Sequence, residues 1–214
     1  NTLWVGTNSG VFTIPSHIDF AASNQCERIV IPRNDGSGLG DYLLDNAQIN
    51  AIAVDGANRL WVGTANSGIF LLNPIGDIEN IEMGGKDIET VAHFTTENSL
   101  MPSDNVLSIA INELSGEVFI GTAAGLVSYM SDAIEPEENF NNLYAYPNPV
   151  HPTYRGHITI KGLMVDTQVR ILDAAGNLVK ILEGQGGAAV WDGNNARGQR
   201  VASGVYTAVC NTKS

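Results

Sequence analysis

RLWVGTANSGIF (Arg59–Phe70) is written almost three times in this chain, also as TLWVGTNSGVF at Thr2–Phe12 and EVFIGTAAGLV at Glu117–Val127. The aromatic positions Trp4, Trp61 and Phe119 stand 57 and 58 residues apart. A fixed period of that size marks a repeat architecture, in which one supersecondary unit cannot bury its own faces. Each copy reads as a strand, then Gly-Thr (Gly6-Thr7, Gly63-Thr64, Gly121-Thr122), a short loop, and a second apolar strand. The two-residue period of a strand sends Leu60 and Val62 to one face and Trp61 to the other. Gly10, Gly68 and Gly125 end the loops and are expected at positive φ, where a tight hairpin closes.

Further strand signals surround these copies. INAIAVD (Ile49–Asp55) and VLSIAIN (Val106–Asn112) precede copies two and three, each leading into a polar turn. ERIVIP (Glu27–Pro32) and ETVAHF (Glu89–Phe94) supply a fourth strand. Four short antiparallel strands per repeat make a propeller blade, and rings contain about four to eight blades. Asn1 aligns with Asn58, so the first copy lacks its leading strand. The expectation is a piece of a larger ring, or a fragment that packs against another copy of itself. Exposed blade faces and strand edges would otherwise invite aggregation.

AIEPEENFNN (Ala133–Asn142) is acidic and polar, a linker by composition, and YAYPNPVHP (Tyr144–Pro152) reads as extended. HITIKGL (His157–Leu163), QVRILD (Gln168–Asp173), LVKIL (Leu178–Leu182), AAVWDG (Ala188–Gly193) and SGVYTAVC (Ser203–Cys210) then follow at short intervals. At least five strands in so short a stretch predict a β-sandwich. Trp191 and Tyr206 are its expected core anchors, with the tyrosine hydroxyl in need of a partner.

The repeats resemble the two-component-regulator propeller repeat, through Trp4, Gly6, Thr7, Gly10, Asp55, Trp61, Gly63, Thr64, Gly68, Phe119, Gly121, Thr122 and Gly125. In the third copy Phe119 replaces Trp, and Asn112 stands near the Asp position. The later segment is similar to the immunoglobulin-like C-terminal sorting module of the type IX secretion system, and to the Ig-like domain of the flagellar hook-capping protein. The matching residues are Tyr146, Pro147, Asn148, Pro149, Val169, Ile171, Gly176, Val179, Trp191, Asp192, Gly193, Gly198, Ser203, Gly204 and Tyr206. That family pattern ends in one further strand, which this sequence lacks, so an open sheet edge is expected. The fold class expected is all-β: a partial β-propeller of about three blades over 1–132, an acidic linker at 133–143, and an Ig-like sandwich over 144–214.

Charge divides the chain in the same place. Residues 1–143 carry 19 acidic and 4 basic side chains, whereas residues 144–214 carry 4 acidic and 7 basic. The acidic part argues against nucleic acid or anionic membrane as its main ligand, because phosphates would be repelled. No apolar run reaches the length of a membrane span. Cys26 and Cys210 lack metal spacing and read as isolated thiols. DGSGLGD (Asp35–Asp41) has carboxylates that could hold calcium, but lacks the ligand count of a calcium loop and the Lys of a phosphate loop. Of His17, His93, His151 and His157, none has the spacing of a zinc helix, and Ser203 lies on no nucleophile elbow. No enzyme, cofactor or metal site is expected.

Function then belongs to surfaces. The two resemblances together imply an extracellular protein at the outer-membrane surface of a Bacteroidetes-type bacterium. Three roles compete: a non-enzymatic component of the type IX machinery that binds surface polysaccharide, lipopolysaccharide or a machinery protein and assists cargo attachment; a secreted cargo protein with a removable sorting module; and the sensor ectodomain of a hybrid two-component system. The first is preferred. The third is disfavoured because YPNP and WDG follow the repeats, where such sensors place a different Ig-like domain, a membrane span and a kinase.

Overall fold

A computed structural model describes residues 2–15, 26–33, 37, 39–74 and 88–212. Its regular elements among the described residues are strands apart from one short 3-10 turn, and the chain divides into two compact units. The first comprises Asn1–Val54, Asn58–Ile111 and Glu117–Tyr129; the second comprises Asp55–Ala57, Asn112–Gly116 and Met130–Ser214.

The first unit contains three antiparallel sheets at the three repeats. Strands β1 (Thr2–Thr7), β2 (Gly10–Pro15) and β3 (Glu27–Arg28) form the first sheet. A separate hairpin joins β4 (Val30–Pro32) to β5 (Gly40–Tyr42). The second sheet is complete, in the order β6 (Ile49–Val54), β7 (Leu60–Thr64), β8 (Ile69–Pro74), β9 (Ile88–Phe94). The third sheet holds β10 (Val106–Asn112), β11 (Glu117–Thr122) and β12 (Gly125–Met130). One expectation needs correction. ERIVIP is not a single fourth strand: Ile29, buried at 6%, leaves the ladder, and the residues on either side pair with different partners.

The alternation read from the sequence governs the packing. Leu60, Val62 and Leu72 of the second sheet pack with Val11, Leu43 and Ile49 in one core layer. Trp61, Ile69 and Leu71 point the other way and join Val106, Val118 and Ile120 in a second layer. In register, Trp61 stands opposite Leu71 and Val62 opposite Phe70, so each β7–β8 pair sends matched apolar side chains to one face.

The Gly of each Gly-Thr pair has its own reason. A Cβ on Gly6 would lie 2.6 Å from Ile49 Cγ2, and one on Gly63 would lie 2.5 Å from Val106 Cγ1. These glycines let one sheet seat a β-branched residue of the next directly on its backbone. Gly121 is different, because a Cβ there would meet Ser108 Oγ within its own sheet at 2.4 Å.

The second unit is a two-sheet sandwich. One sheet runs β13 (Tyr144–Tyr146), β14 (Ile158–Lys161), β17 (Ala188–Trp191), and the other runs β16 (Leu178–Glu183), β15 (Thr167–Leu172), β18 (Thr207–Thr212). Ile158, Ile160, Leu163, Val169, Ile171, Leu182, Ala189 and Trp191 fill the space between them. The expected strand SGVYTAVC begins four residues late, at Thr207, because Ser203 and Gly204 form a bend. The acidic stretch after Ser131 is tied into this unit at its start. Ala133 and Ile134 are 1% and 9% exposed, Ile134 bridges Gly186, and the Glu137 amide donates to Leu163 O at 2.8 Å. Beyond it, Asn139 caps a short 3-10 turn at Phe140–Asn142.

Candidate functional site

The repeat signature is assembled into the same hairpin lock three times. Thr7, Thr64 and Thr122 each donate a hydroxyl hydrogen bond to the carbonyl of Gly10, Gly68 or Gly125, at 2.9, 2.9 and 2.8 Å. Each threonine oxygen also accepts from a loop amide: Ser9 at 3.0 Å, Ser67 at 2.8 Å and Ala124 at 3.3 Å. The three glycines have φ of 106°, 71° and 143°, as the sequence required. The signature therefore encodes turn closure and packing, and the residues that vary between copies are the loop tips. Trp61 is fully buried, whereas Trp4 and Phe119 are partly buried. Asp55, 5% exposed, accepts from the Ala57 amide at 3.0 Å and shapes its turn.

The sandwich signature behaves likewise. Trp191 Nε1 donates to Asn194 O at 2.8 Å. The Tyr206 ring meets the Trp191 ring edge-on at 5.3 Å, and its hydroxyl donates to Ala202 O at 2.8 Å, the partner it was expected to need. Asp192 Oδ1 accepts from Lys180 Nζ at 2.9 Å and from the Asn194 amide at 3.0 Å. Arg200 closes the turn by donating to Asp192 O at 2.7 Å, and the Val201 amide reaches Gly193 O at 3.1 Å. Gly176 and Gly198 take positive φ in exposed turns. Tyr146, Asn148 and Pro149 are exposed and Pro147 is partly buried.

Burial alone would raise the Asp192 carboxyl; the bonds from Lys180 and Asn194 outweigh it and hold the group below its ordinary 3.8. A carboxylate depressed in the folded state stabilises fully above its unfolded value, and that contribution is lost as pH falls through the folded one. Urea unfolding of the wild type and of Asp192→Asn should therefore differ at neutral pH, with the gap closing as the pH drops below about 4. A gap unchanged down to strongly acidic pH would show that the Asp192 charge does not contribute.

No group of three or more His, Cys, Asp or Glu among the described residues is placed to hold a metal ion. The Asp35–Asp41 loop lies partly, and His17 wholly, outside the described residues. His151 and His157 are exposed, and His151 Nδ1 pairs with Thr153 Oγ1 at 2.8 Å. His93 stacks on Phe70 at 3.9 Å, with Nε2 2.7 Å from Ser67 O. Cys26 and Cys210 are free thiols, and burial pushes the Cys210 thiol up. No helix among the described residues is long and apolar enough to cross a membrane.

What the signatures omitted is the exposed aromatic partner of Tyr146. Tyr144, outside both motifs, shares one face of β13 with Tyr146, and Lys161 stands opposite Tyr144 in the ladder. The sequence signal was YAY, two aromatics at strand spacing beside a proline stop.

Residues 42–66 match the two component regulator propeller family, and residues 154–214 match the FlgD Ig-like domain. Among solved structures, the chain is similar over 99% of its length, at 31% identity and a TM-score of 0.61, to PorZ of Porphyromonas gingivalis. PorZ is described as an essential bacterial surface component of the type-IX secretion system. The chain spans 27% of that protein's length. An extracellular domain assigned to a hybrid two-component system, BT4673 of B. thetaiotaomicron, matches 86% of the chain at 14% identity and a TM-score of 0.31. No curated protein matches the sequence.

Proposed function

From a chain that joins two-component regulator propeller repeats to a FlgD Ig-like domain and resembles PorZ along 99% of its length, we propose a non-enzymatic surface component of a type IX secretion machinery. The observation that carries this reading is the match at 31% identity over 99% of the chain, which spans both units, because either unit alone would be compatible with many roles. The protein acts outside the cell, at the outer-membrane surface. The sandwich over residues 144–214 holds it at the machinery, and the propeller presents a binding face to surface polysaccharide or to a machinery protein, assisting cargo attachment. Its chemistry is recognition. Most side chains that the motifs single out are occupied in turn closure and cores, with Tyr146, Asn148 and Pro149 left exposed, so binding falls to exposed loops and edges.

The intact mass of the protein recovered from its native cell surface tests this. A machinery component keeps the segment after Asn142. Loss of that segment, with a glycolipid-sized mass in its place, would make the protein a cargo whose sorting module is removed and would overturn the reading.

A further inference from the structure

In β15, Val169 and Ile171 point into the sandwich core, so Gln168, Arg170 and Leu172 occupy the outer face of the sheet. The ladders set partners beside each of them on that face. Glu183 and Asn211 flank Gln168, Ile181 and Val209 flank Arg170, and Leu178 and Thr207 flank Leu172. An antiparallel sheet with one solvated face reads polar on that side. The last two of these rows do not: Ile181, Val209, Leu172 and Leu178 are all aliphatic. Ile181, Val209 and Leu178 are 45%, 42% and 55% exposed in the whole chain.

Arg170 stands in the middle of this patch. Its Nε donates to Gln168 Oε1 at 3.1 Å, and Gln168 Nε2 donates to Glu183 Oε1 at 3.2 Å. The guanidinium forms no ion pair among the described residues. An arginine set among aliphatic side chains, with charge moved to the margin, is the composition of a protein–protein interface. The face also complements itself. Two copies laid face to face about a twofold axis along β15 set Ile181 of one over Val209 of the other. Packed sheets lie about 10 Å apart, so Arg170 reaches Glu183 of the second copy on the neighbouring strand. The two Arg170 side chains, close to the axis, splay toward those carboxylates and away from each other. Such a contact is isologous and closes after two copies.

We propose that the outer face of the β16–β15–β18 sheet is a homodimer interface, with Ile181, Val209, Leu172 and Leu178 at its centre and reciprocal Arg170–Glu183 pairs at its margin. Three strands of six residues cover about 14 Å by 20 Å. That is small beside the roughly 800 Å² per partner of a standard interface, which places the dimer in the micromolar range. The dimer holds whether or not the protein serves a secretion machinery.

Sedimentation equilibrium of the whole chain, loaded from about 1 to 300 µM to bracket the affinity of a small interface, tests it. The wild type should pass from monomer to dimer within that range, with no larger species. Ile181→Glu and Val209→Glu should each weaken the dimer at least about 10-fold, because each sets a carboxylate into the aliphatic centre. Arg170→Glu and Glu183→Arg should each weaken it about 3- to 10-fold by bringing like charges together. The double reversal Arg170→Glu with Glu183→Arg restores opposite charges and should return to within about 2-fold of the wild type. All four side chains are exposed at least in part, so the variants should melt close to the wild type. A wild type that stays monomeric throughout overturns the dimer and leaves the apolar face to a different protein. Association that survives both Ile181→Glu and Val209→Glu also overturns it, since the copies would then meet elsewhere, for instance along the sheet edges β12 or β18. Single charge reversals that the double variant does not rescue overturn the twofold arrangement.

Discussion

Trp61→Ala is expected to lower the stability of the first unit by about 3–5 kcal/mol, the usual cost of truncating a buried large aromatic side chain. Trp61 has no exposed surface and sits among Ile69, Leu71, Met101, Val106, Val118 and Ile120. It also stacks on Phe94 at 6.4 Å with the planes 10° apart, and meets Tyr129 at 5.8 Å. Removing the indole leaves a cavity between the second and third sheets, where backbone ladders on both sides resist collapse. A domain stable by only 5–15 kcal/mol would lose a large fraction of its margin. Urea unfolding followed by circular dichroism is the measurement. Trp61→Phe, which copies the residue found at 119 in the third repeat, should recover part of the loss. A shift under about 1 kcal/mol for the alanine variant would mean that the indole is not the filler between these sheets.

Much of this fold was legible because local and long-range signals agree. Leu60, Trp61 and Val62 announce by alternation alone that two different surfaces must be covered, and the two core layers divide along that line. Gly10, Gly68 and Gly125 announce the hairpins because few other residues take positive φ there. The reason for Gly6 and Gly63 was not legible. Their constraint comes from Ile49 and Val106, which are more than 40 residues away along the chain, and no local pattern encodes an approach of that kind. ERIVIP misled for a related reason. Its composition fits one strand, but which neighbour each half pairs with is set by hairpin geometry elsewhere. The exposed aromatic pair was half visible. Tyr146 belongs to the sorting-module motif, whereas Tyr144 and Lys161 gain meaning only when the ladder sets Tyr144 opposite Lys161.

Gly186→Ala should be the most damaging single-methyl change in the second unit, by about 3 kcal/mol, and nothing in the sequence singles this glycine out. It has φ of 61°, a conformation that costs a non-glycine residue roughly 1–2 kcal/mol. Its Cβ would also lie 2.2 Å from Ile134 O and 2.4 Å from Gly56 O. Those obstacles are main-chain atoms, so no rotamer change relieves them. Ile134 is held by the bridge to Gly186 and by the bond from the Gly187 amide to Ile134 O at 2.8 Å. Next to it, the Glu135 amide donates to Glu113 O at 2.9 Å, tying down the same segment. Accommodating the methyl group therefore means breaking several backbone bonds at once, with buried donors and acceptors left unsatisfied. By contrast, Gly176→Ala has nothing within 4 Å of its Cβ and pays only for its φ of 82°, so it serves as the control for backbone strain alone. Urea unfolding of the two variants separates steric exclusion from strain. If Gly186→Ala costs no more than Gly176→Ala, the segment around Ile134 can yield, and the tight three-way approach of Gly56, Ile134 and Gly186 does not hold that part of the unit together.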